Sequence, residues 1–359
     1  MNPPSKTHNT WQRFRKKKTA MAGLFIIVLA FFMGVFGYYI APDSTPNADR
    51  QIVEIQAKKT GYKQLFLLVE KERQVNKPGT IQRLLYGKED KYTYVPINNY
   101  IVSGNNIIVD KYIDEDVSQH EVFQLKDIAP NNYIIKKTFW LGTDRFGRDI
   151  LSRIIIGVRV SLAVGLISVL LSLTIGVLLG SVAGYFGGKA DNIIMWLINV
   201  VWSIPTLLLV FGMTLALGKG FWQIFIAVGL TMWVNVARLI RGQVMAIKKL
   251  EYVQAAKALG FKNSRIIIRH ILPNVVGPVV VIAASNFATA IIIEAGLSFL
   301  GIGVQPPTPS WGAMIKEHYN FIITHNPMLA LAPGIAIMIL VLAFNLVGNG
   351  LRDAFDVRT

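Results

Sequence analysis

Six apolar stretches free of charged side chains approach or exceed the length a bilayer needs: residues 19–42, 160–188, 192–218, 220–237, 270–293 and 326–351. A hydrocarbon core about 30 Å thick takes roughly 20 apolar residues to cross, at about 1.5 Å of helical rise each. Each run is read as a membrane-spanning helix, the fourth, with 18 residues, being the shortest. The segment 43–140 is different in kind, with 14 basic and 13 acidic side chains, and is expected to fold outside the membrane. Within it, residues 62–72 place Leu65, Phe66, Leu68 and Val69 near one helical face. Residues 92–97 and 107–109 read as strands around turns at Asn98-Asn99 and Ser103-Gly104-Asn105-Asn106. The expected architecture is an all-α integral membrane protein of six transmembrane helices, with a small extracytoplasmic α+β insert between helices 1 and 2.

Composition supports that pattern and narrows it. Of 359 residues, 52% are hydrophobic and only 16% charged, which excludes a water-soluble enzyme. A net charge of +16 would suit a phosphate-rich partner, but the basic residues crowd at the ends of apolar runs, where membrane orientation needs them, so nucleic acid is not expected. The basic segment 1–18 is expected to be cytoplasmic, and 19–42 to be a retained first helix. Its apolar stretch exceeds the roughly 7–15 residues of a signal core, and no small-x-small cleavage site precedes Ala41-Pro42. Six crossings then return the C-terminus to the cytoplasm. The cytoplasmic segments hold 17 basic against 4 acidic residues, the outer ones 20 against 17. Arg145, Arg148, Arg153 and Arg159 fit this poorly, and a short amphipathic helix on the interface, with Asp144 and Asp149 pairing some of them, is the expected accommodation. No cysteine is present, so disulfide, Fe–S and thiol chemistry are excluded.

The predicted core, 141–359, contains a loop at 238–273 that concentrates chemistry. Glu251 falls in the first turn of a helix, where a carboxylate complements the dipole. Ala255, Ala256 and Ala258 allow close approach of another surface, and Gly260 can take a left-handed C-terminal cap. Asn263 or Ser264 can cap a second short helix, and Pro273 suits the start of the next span. Two short helices meeting at an angle would serve either as an ordinary interhelical loop or as a basic elbow docking into a groove of another protein.

The elbow resembles the coupling motif of ABC importer permeases, E-A-A-x3-G-x9-I-x-L-P, with Ala255, Ala256, Gly260, Leu272 and Pro273 in register and Gln254 and His270 departing from it. Leu141-Gly142-Thr143-Asp144-Arg145-Phe146-Gly147-Arg148-Asp149, the Glu294–Pro307 stretch with Pro309-Ser310-Trp311-Gly312, and Gly350-Leu351-Arg352-Asp353 resemble the dipeptide and oligopeptide permease subfamily, C-type subunit. The resemblance implies ATPase coupling through Glu251, Ala255, Ala256, Gly260, Leu272 and Pro273. It also implies four partners besides the lipid bilayer: a homologous second permease, two ATP-binding subunits and an extracytoplasmic solute-binding protein. The long insert departs from the family pattern, so it is either a contact for the binding protein or a solvated decoration.

Several residues carry two readings. Asp144 and Arg148 either gate or brace the entrance to helix 2, and Glu294 is either functional or bridged to Arg145 or Arg148. Pro205 would kink helix 3, lining a pathway or serving packing, while Gly165, Gly176, Gly180 and Gly184 favour close helix contact. His120 stands alone, so no metal site is expected. No Gly-x4-Gly-Lys-Ser/Thr occurs, so ATP and Mg would be held by partner subunits and no enzyme activity is expected here. The function the resemblance implies is ATP-driven import of peptides into the cell across the inner membrane. Nickel chelates or a peptide antibiotic are alternative cargoes. An ion-driven secondary transporter would show inverted repeats and intramembrane acids or broken helices for ion binding, and neither is expected here.

Overall fold

The computed structural model describes residues 6–73, 75, 78–218, 220–323 and 326–356. Arg358 and residues 1–5 of the basic N-terminal segment lie outside them. Contacts divide the chain into two units, one comprising 1–30, 161–305 and 337–359, the other 31–160 and 306–336.

The helices are α1 (Lys6–Lys16), α2 (Lys18–Ile40), α3 (Thr80–Tyr86), α4 (Ile150–Phe186), α5 (Gly188–Trp202), α6 (Thr206–Leu217) and α7 (Phe221–Ile247). They continue with α8 (Glu251–Ala258), α9 (Asn263–Ile266), α10 (Leu272–Leu300), α11 (Trp311–His318) and α12 (Met328–Phe355). Among the described residues, five helical stretches are long and apolar enough to span a membrane: α2, α4, α7, the continuous stretch from α9 through α10, and α12. The run expected to be helix 3 is instead a bent pair, with α5 and α6 meeting at 91° across Ser203, Ile204 and Pro205. Pro205 stands in the break just ahead of Thr206, where its missing N–H costs least. The count is therefore five spans, or six if the bent pair is one. Large apolar side chains stay exposed along these helices, Phe25 at 68% and Leu178 at 64% among them, as lipid contact requires.

The insert is a five-stranded antiparallel sheet of order β4-β3-β2-β1-β5, built from β1 (Tyr62–Glu70), β2 (Tyr92–Ser103), β3 (Asn106–Asp114), β4 (Val117–Gln124) and β5 (Ile134–Phe139), with α3 between β1 and β2. Of residues 62–72, expected to be helical, Tyr62–Glu70 form the strand β1. It pairs with β2 on one side and β5 on the other, and it buries both faces, Leu67 with Ile97, Ile107 and Ile128, and Phe66 with Ile55 and Phe139. A strand covered on both faces loses its alternation, so its apolar run cannot be told from a helix by periodicity. Asn98-Asn99 is likewise no turn: β2 runs through it with a bulge between Ile97 and Asn99. The turn after Ser103 forms where expected.

In the helical unit, α4 lies against α7 through a stripe of small residues. A Cβ on Gly176, Gly180 or Gly184 would fall 2.5–2.7 Å from Val236, the Ala237 carbonyl or the Arg241 carbonyl, so only glycine permits this approach. Gly165 faces the Phe287 ring in the same way. The side chains of Arg241 and Asp191 bond in a fork at 2.5 and 2.6 Å, tying α7 to α5.

Candidate functional site

The elbow follows α7 directly and is made of α8, α9 and a π-helical turn, Ile267–Ile271, that leads into α10. Glu251 occupies the first turn of α8 and is exposed. The helix ends in a Schellman motif: the Phe261 N–H donates to the Ala256 carbonyl at 3.2 Å and the Gly260 N–H to Lys257 at 3.0 Å. Gly260 has φ +76°, the left-handed conformation expected of it, which a side chain would strain.

Burial splits α8 into two faces. Val253 and Ala256 pack inward with Val244, Ile266, Ile271 and Val275 in one cluster, while Gln254, Ala255, Ala258 and Leu259 face out, Leu259 at 73% exposure. Ala256, 4% exposed, therefore seats the elbow on α7 and α10, and Ala255 and Ala258 offer the open small-residue surface. Pro273, in the first turn of α10, is exposed, and Leu272 is half-buried. The elbow is held by side-chain bonds as well. Tyr185 donates to Asn263 Oδ1 at 2.8 Å, and Lys248 donates to the Tyr185 carbonyl at 2.5 Å. Asn274 donates to the His270 carbonyl at 2.8 Å. Asn263 thus receives Tyr185 rather than capping α9, whose N-cap is Lys262.

Both departures from the coupling motif have local partners. Gln254, standing where the motif has Glu, donates its amide to the Lys248 carbonyl at 2.7 Å, a bond that an ionised carboxylate lacks the hydrogen to make. The His270 ring, standing where the motif has Ile, stacks on Phe261 at 6.0 Å between centroids.

In the other unit, the segment before α4 is a closed knot of charge. Arg148 is bonded to Asp144, to Asp49 at 3.0 Å and to Glu317 at 3.1 Å, with Asp144 wholly buried. Burial alone would lower the Arg148 pKa, but the carboxylates of Asp144, Asp49 and Glu317 outweigh it and hold the guanidinium charged. Arg153, 3% exposed and already inside α4, lies 3.8 Å from Asp49. Asp149 accepts the Ser152 N–H at 2.9 Å at the start of α4, and burial raises its pKa. His318 is buried beside the knot, its Nδ1 2.8 Å from the Met314 carbonyl, and burial lowers its pKa. Among the described residues, no separate amphipathic helix carries these arginines ahead of α4. α4 begins at Ile150, Arg148 and Arg153 point into the knot, and only Arg145 is exposed.

Glu294 has a partner on its own helix. Glu294 is buried in α10, where its Oε1 accepts from Ser298 at 2.7 Å, and Ser298 in turn accepts the Val304 N–H. Sequence reasoning missed a cavity of about 820 Å³ among α7, α10 and α12, whose polar lining includes Asn235, Gln243, Ser285, Asn286 and Arg352. Asn235 and Asn286, polar side chains inside otherwise apolar runs, were the available signal.

The sequence model of the family described as "Binding-protein-dependent transport system inner membrane component" matches residues 176–359, and that of the "N-terminal TM domain of oligopeptide transport permease C" matches residues 5–55. The chain belongs to the first of these families. It is similar to the oligopeptide transport system permease protein OppC of Bacillus subtilis (strain 168), 43% identical over 61% of this chain and 72% of the relative. The dipeptide transport system permease protein DppC of the same strain is 32% identical over 98% of this chain and 86% of the relative. The glutathione transport system permease protein GsiD of Pectobacterium atrosepticum is 44% identical over 60% and 72%. The chain is a membrane-spanning permease subunit of an ABC importer, and its elbow lies within residues 176–359.

Proposed function

We propose that this permease imports peptides and that its elbow transmits force from ATP-hydrolysing partner subunits to the membrane helices. The reading rests on one observation: α8 buries Val253 and Ala256 against the helices it must move, yet leaves Ala255, Ala258 and Leu259 open for a partner. α7 and α10, the helices joined to the elbow, also line the 820 Å³ cavity. A push on α8 is therefore delivered to the walls of a space sized for a small ligand. Amide and hydroxyl groups at Asn235, Gln243, Ser285 and Asn286 suit a peptide backbone, and the oligopeptide, dipeptide and glutathione names of the relatives point the same way.

In this reading the elbow and both termini are cytoplasmic and the insert is extracytoplasmic, as the distribution of basic residues requires. α5 and α6 form one broken span, which makes six. A second homologous permease completes the passage, two partner subunits bind ATP and Mg, and an extracytoplasmic binding protein delivers the cargo. Asp144 and Arg148 brace the entrance to α4. With no cysteine in the chain, Ala258→Cys is a clean probe. It should cross-link to an ATP-binding subunit in the assembled transporter, and failure to do so in every nucleotide state rejects the coupling role. Uptake blocked by vanadate but not by an uncoupler separates this from an ion-driven carrier.

A further inference from the structure

α3 is seven residues long and has no role in the sheet it interrupts. Its apolar side chains are left uncovered: Ile81 is 74% exposed, Leu85 54% and Tyr86 67%. In a domain surrounded by water such a face is a liability. Yet it does not stand alone, because the last turns of α2 beside it leave Phe36, Tyr39 and Ile40 exposed at 40–46%. A recess of about 280 Å³ lined by Phe36, Tyr39, Thr80, Ile81 and Leu84 runs between the two helices.

α3 is tied down at a definite level along α2. Tyr39 donates its hydroxyl to the Thr80 carbonyl at 3.2 Å, and the Arg83 guanidinium lies 4.4 Å from the Tyr39 ring centroid. Arg159, half-buried in α4, bridges carbonyls of both helices: it donates to Gly34 and Val35 of α2 at 2.6 and 3.0 Å, and to Leu84 and Leu85 of α3 at 2.7 and 2.9 Å. Gly34 and Val35 precede Ile40, the end of the apolar span, by five to six residues. At about 1.5 Å per residue, the C-terminal turn of α3 therefore lies roughly 8 Å inside that end. Backbone carbonyls at such depth need a donor, and Arg159 supplies one.

From this geometry we infer that α3 is a membrane-interface anchor of the insert, with Ile81, Leu85 and Tyr86 set among the lipid acyl chains near the headgroups. The occupant is lipid rather than protein because the exposed face of α3 is continuous with that of α2, a span that must face hydrocarbon. Its depth also matches the roughly 5–10 Å reached by helices lying in the interface. Tyr39 and Tyr86, 44% and 67% exposed, supply aromatic groups of the kind enriched at that level. The polar side is consistent, since Lys88 and Glu89, which follow α3, are exposed and the chain then climbs into β2.

The test uses the full cysteine-free chain, reconstituted in phosphatidylcholine vesicles with and without its partner subunits. Ile81→Cys, Leu85→Cys and Lys91→Cys each carry an environment-sensitive fluorophore. A nitroxide on the lipid acyl chain should quench the labels at 81 and 85 about threefold more strongly than the label at 91, with aqueous iodide giving the reverse order. Quenching of 81 and 85 by iodide and not by the lipid overturns the inference. So does shielding of both positions from both quenchers, which would mean that protein covers α3.

Discussion

The charge knot before α4 and the elbow after α7 both gather charged residues at the ends of apolar helices, yet they solve opposite problems. In the knot the carboxylates of Asp144, Asp49 and Glu317 converge on Arg148, with Asp144 wholly buried and Arg148 at 3% exposure. In the elbow the charged side chains Glu251 and Lys257 are exposed, and what is buried is Val253 and Ala256. A network of buried ion pairs turns its charges toward one another. A surface of small side chains on a well-seated helix has geometry to offer and can dock.

The comparison breaks most sharply at Arg148. Arg148→Met leaves the buried Asp144 with only the longer Arg153 contact at 3.9 Å and should cost about 3–5 kcal/mol, read as a large fall in unfolding temperature in detergent. An unchanged transition would mean the knot is not structural. Next come the two alanines. Ala256→Arg forces bulk into a packed site and should lose about 1–3 kcal/mol and membrane abundance, whereas Ala258→Arg should change stability by no more than about 0.5 kcal/mol and abolish uptake while ATP hydrolysis persists. Equal effects of the two on abundance would erase the distinction between the faces of α8. Gly260→Ala, at φ +76°, should cost about 1–2 kcal/mol locally and slow uptake with little loss of assembled protein.

A pH scan sharpens the buried side of the comparison. Burial and the charge of Arg50 push the Lys137 pKa down from 10.5 to about 8, with its ammonium 4.4 Å from the Tyr94 ring centroid. Between those two values the unfolded chain holds more protons than the folded one. The Lys137 contribution is therefore least favourable below about pH 8 and improves as the pH rises toward 10.5. Lys137→Met should remove that slope from the thermal-unfolding profile, and a slope unchanged by the substitution would count against burial as its cause. The smallest effect is expected at the exposed Lys17–Asp353 pair, where Lys17→Ala should cost less than about 0.5 kcal/mol and the loss should vanish in high salt.

The helix–glycine–helix shape of the elbow was legible because each signal is local: an acid in a first turn, a glycine where only φ > 0 closes the cap, a proline opening a span. Close packing of α4 was legible for a similar reason, since glycines four apart share a face whatever lies opposite. The strand β1 was not, because its periodicity is erased by cover that arrives from β2 and β5. The pairing of Arg148 with Asp144, four residues away, was legible, but its partners Asp49 and Glu317, 99 and 169 positions away, were not. The face taken by Ala256 was not legible either. Alanine is as suitable for a seat as for a docking face, and only its neighbours decide.

By itself, then, the sequence determined how many charge-free runs the chain has, how long they are, where α8 must end and which family pattern it follows, because length, charge and backbone freedom act over a few residues. The tertiary structure alone decided which face of α8 stays open, which carboxylates hold Arg148, and that α3 rests beside α2. Each of these depends on groups distant in sequence, brought together by packing that no short window of residues encodes.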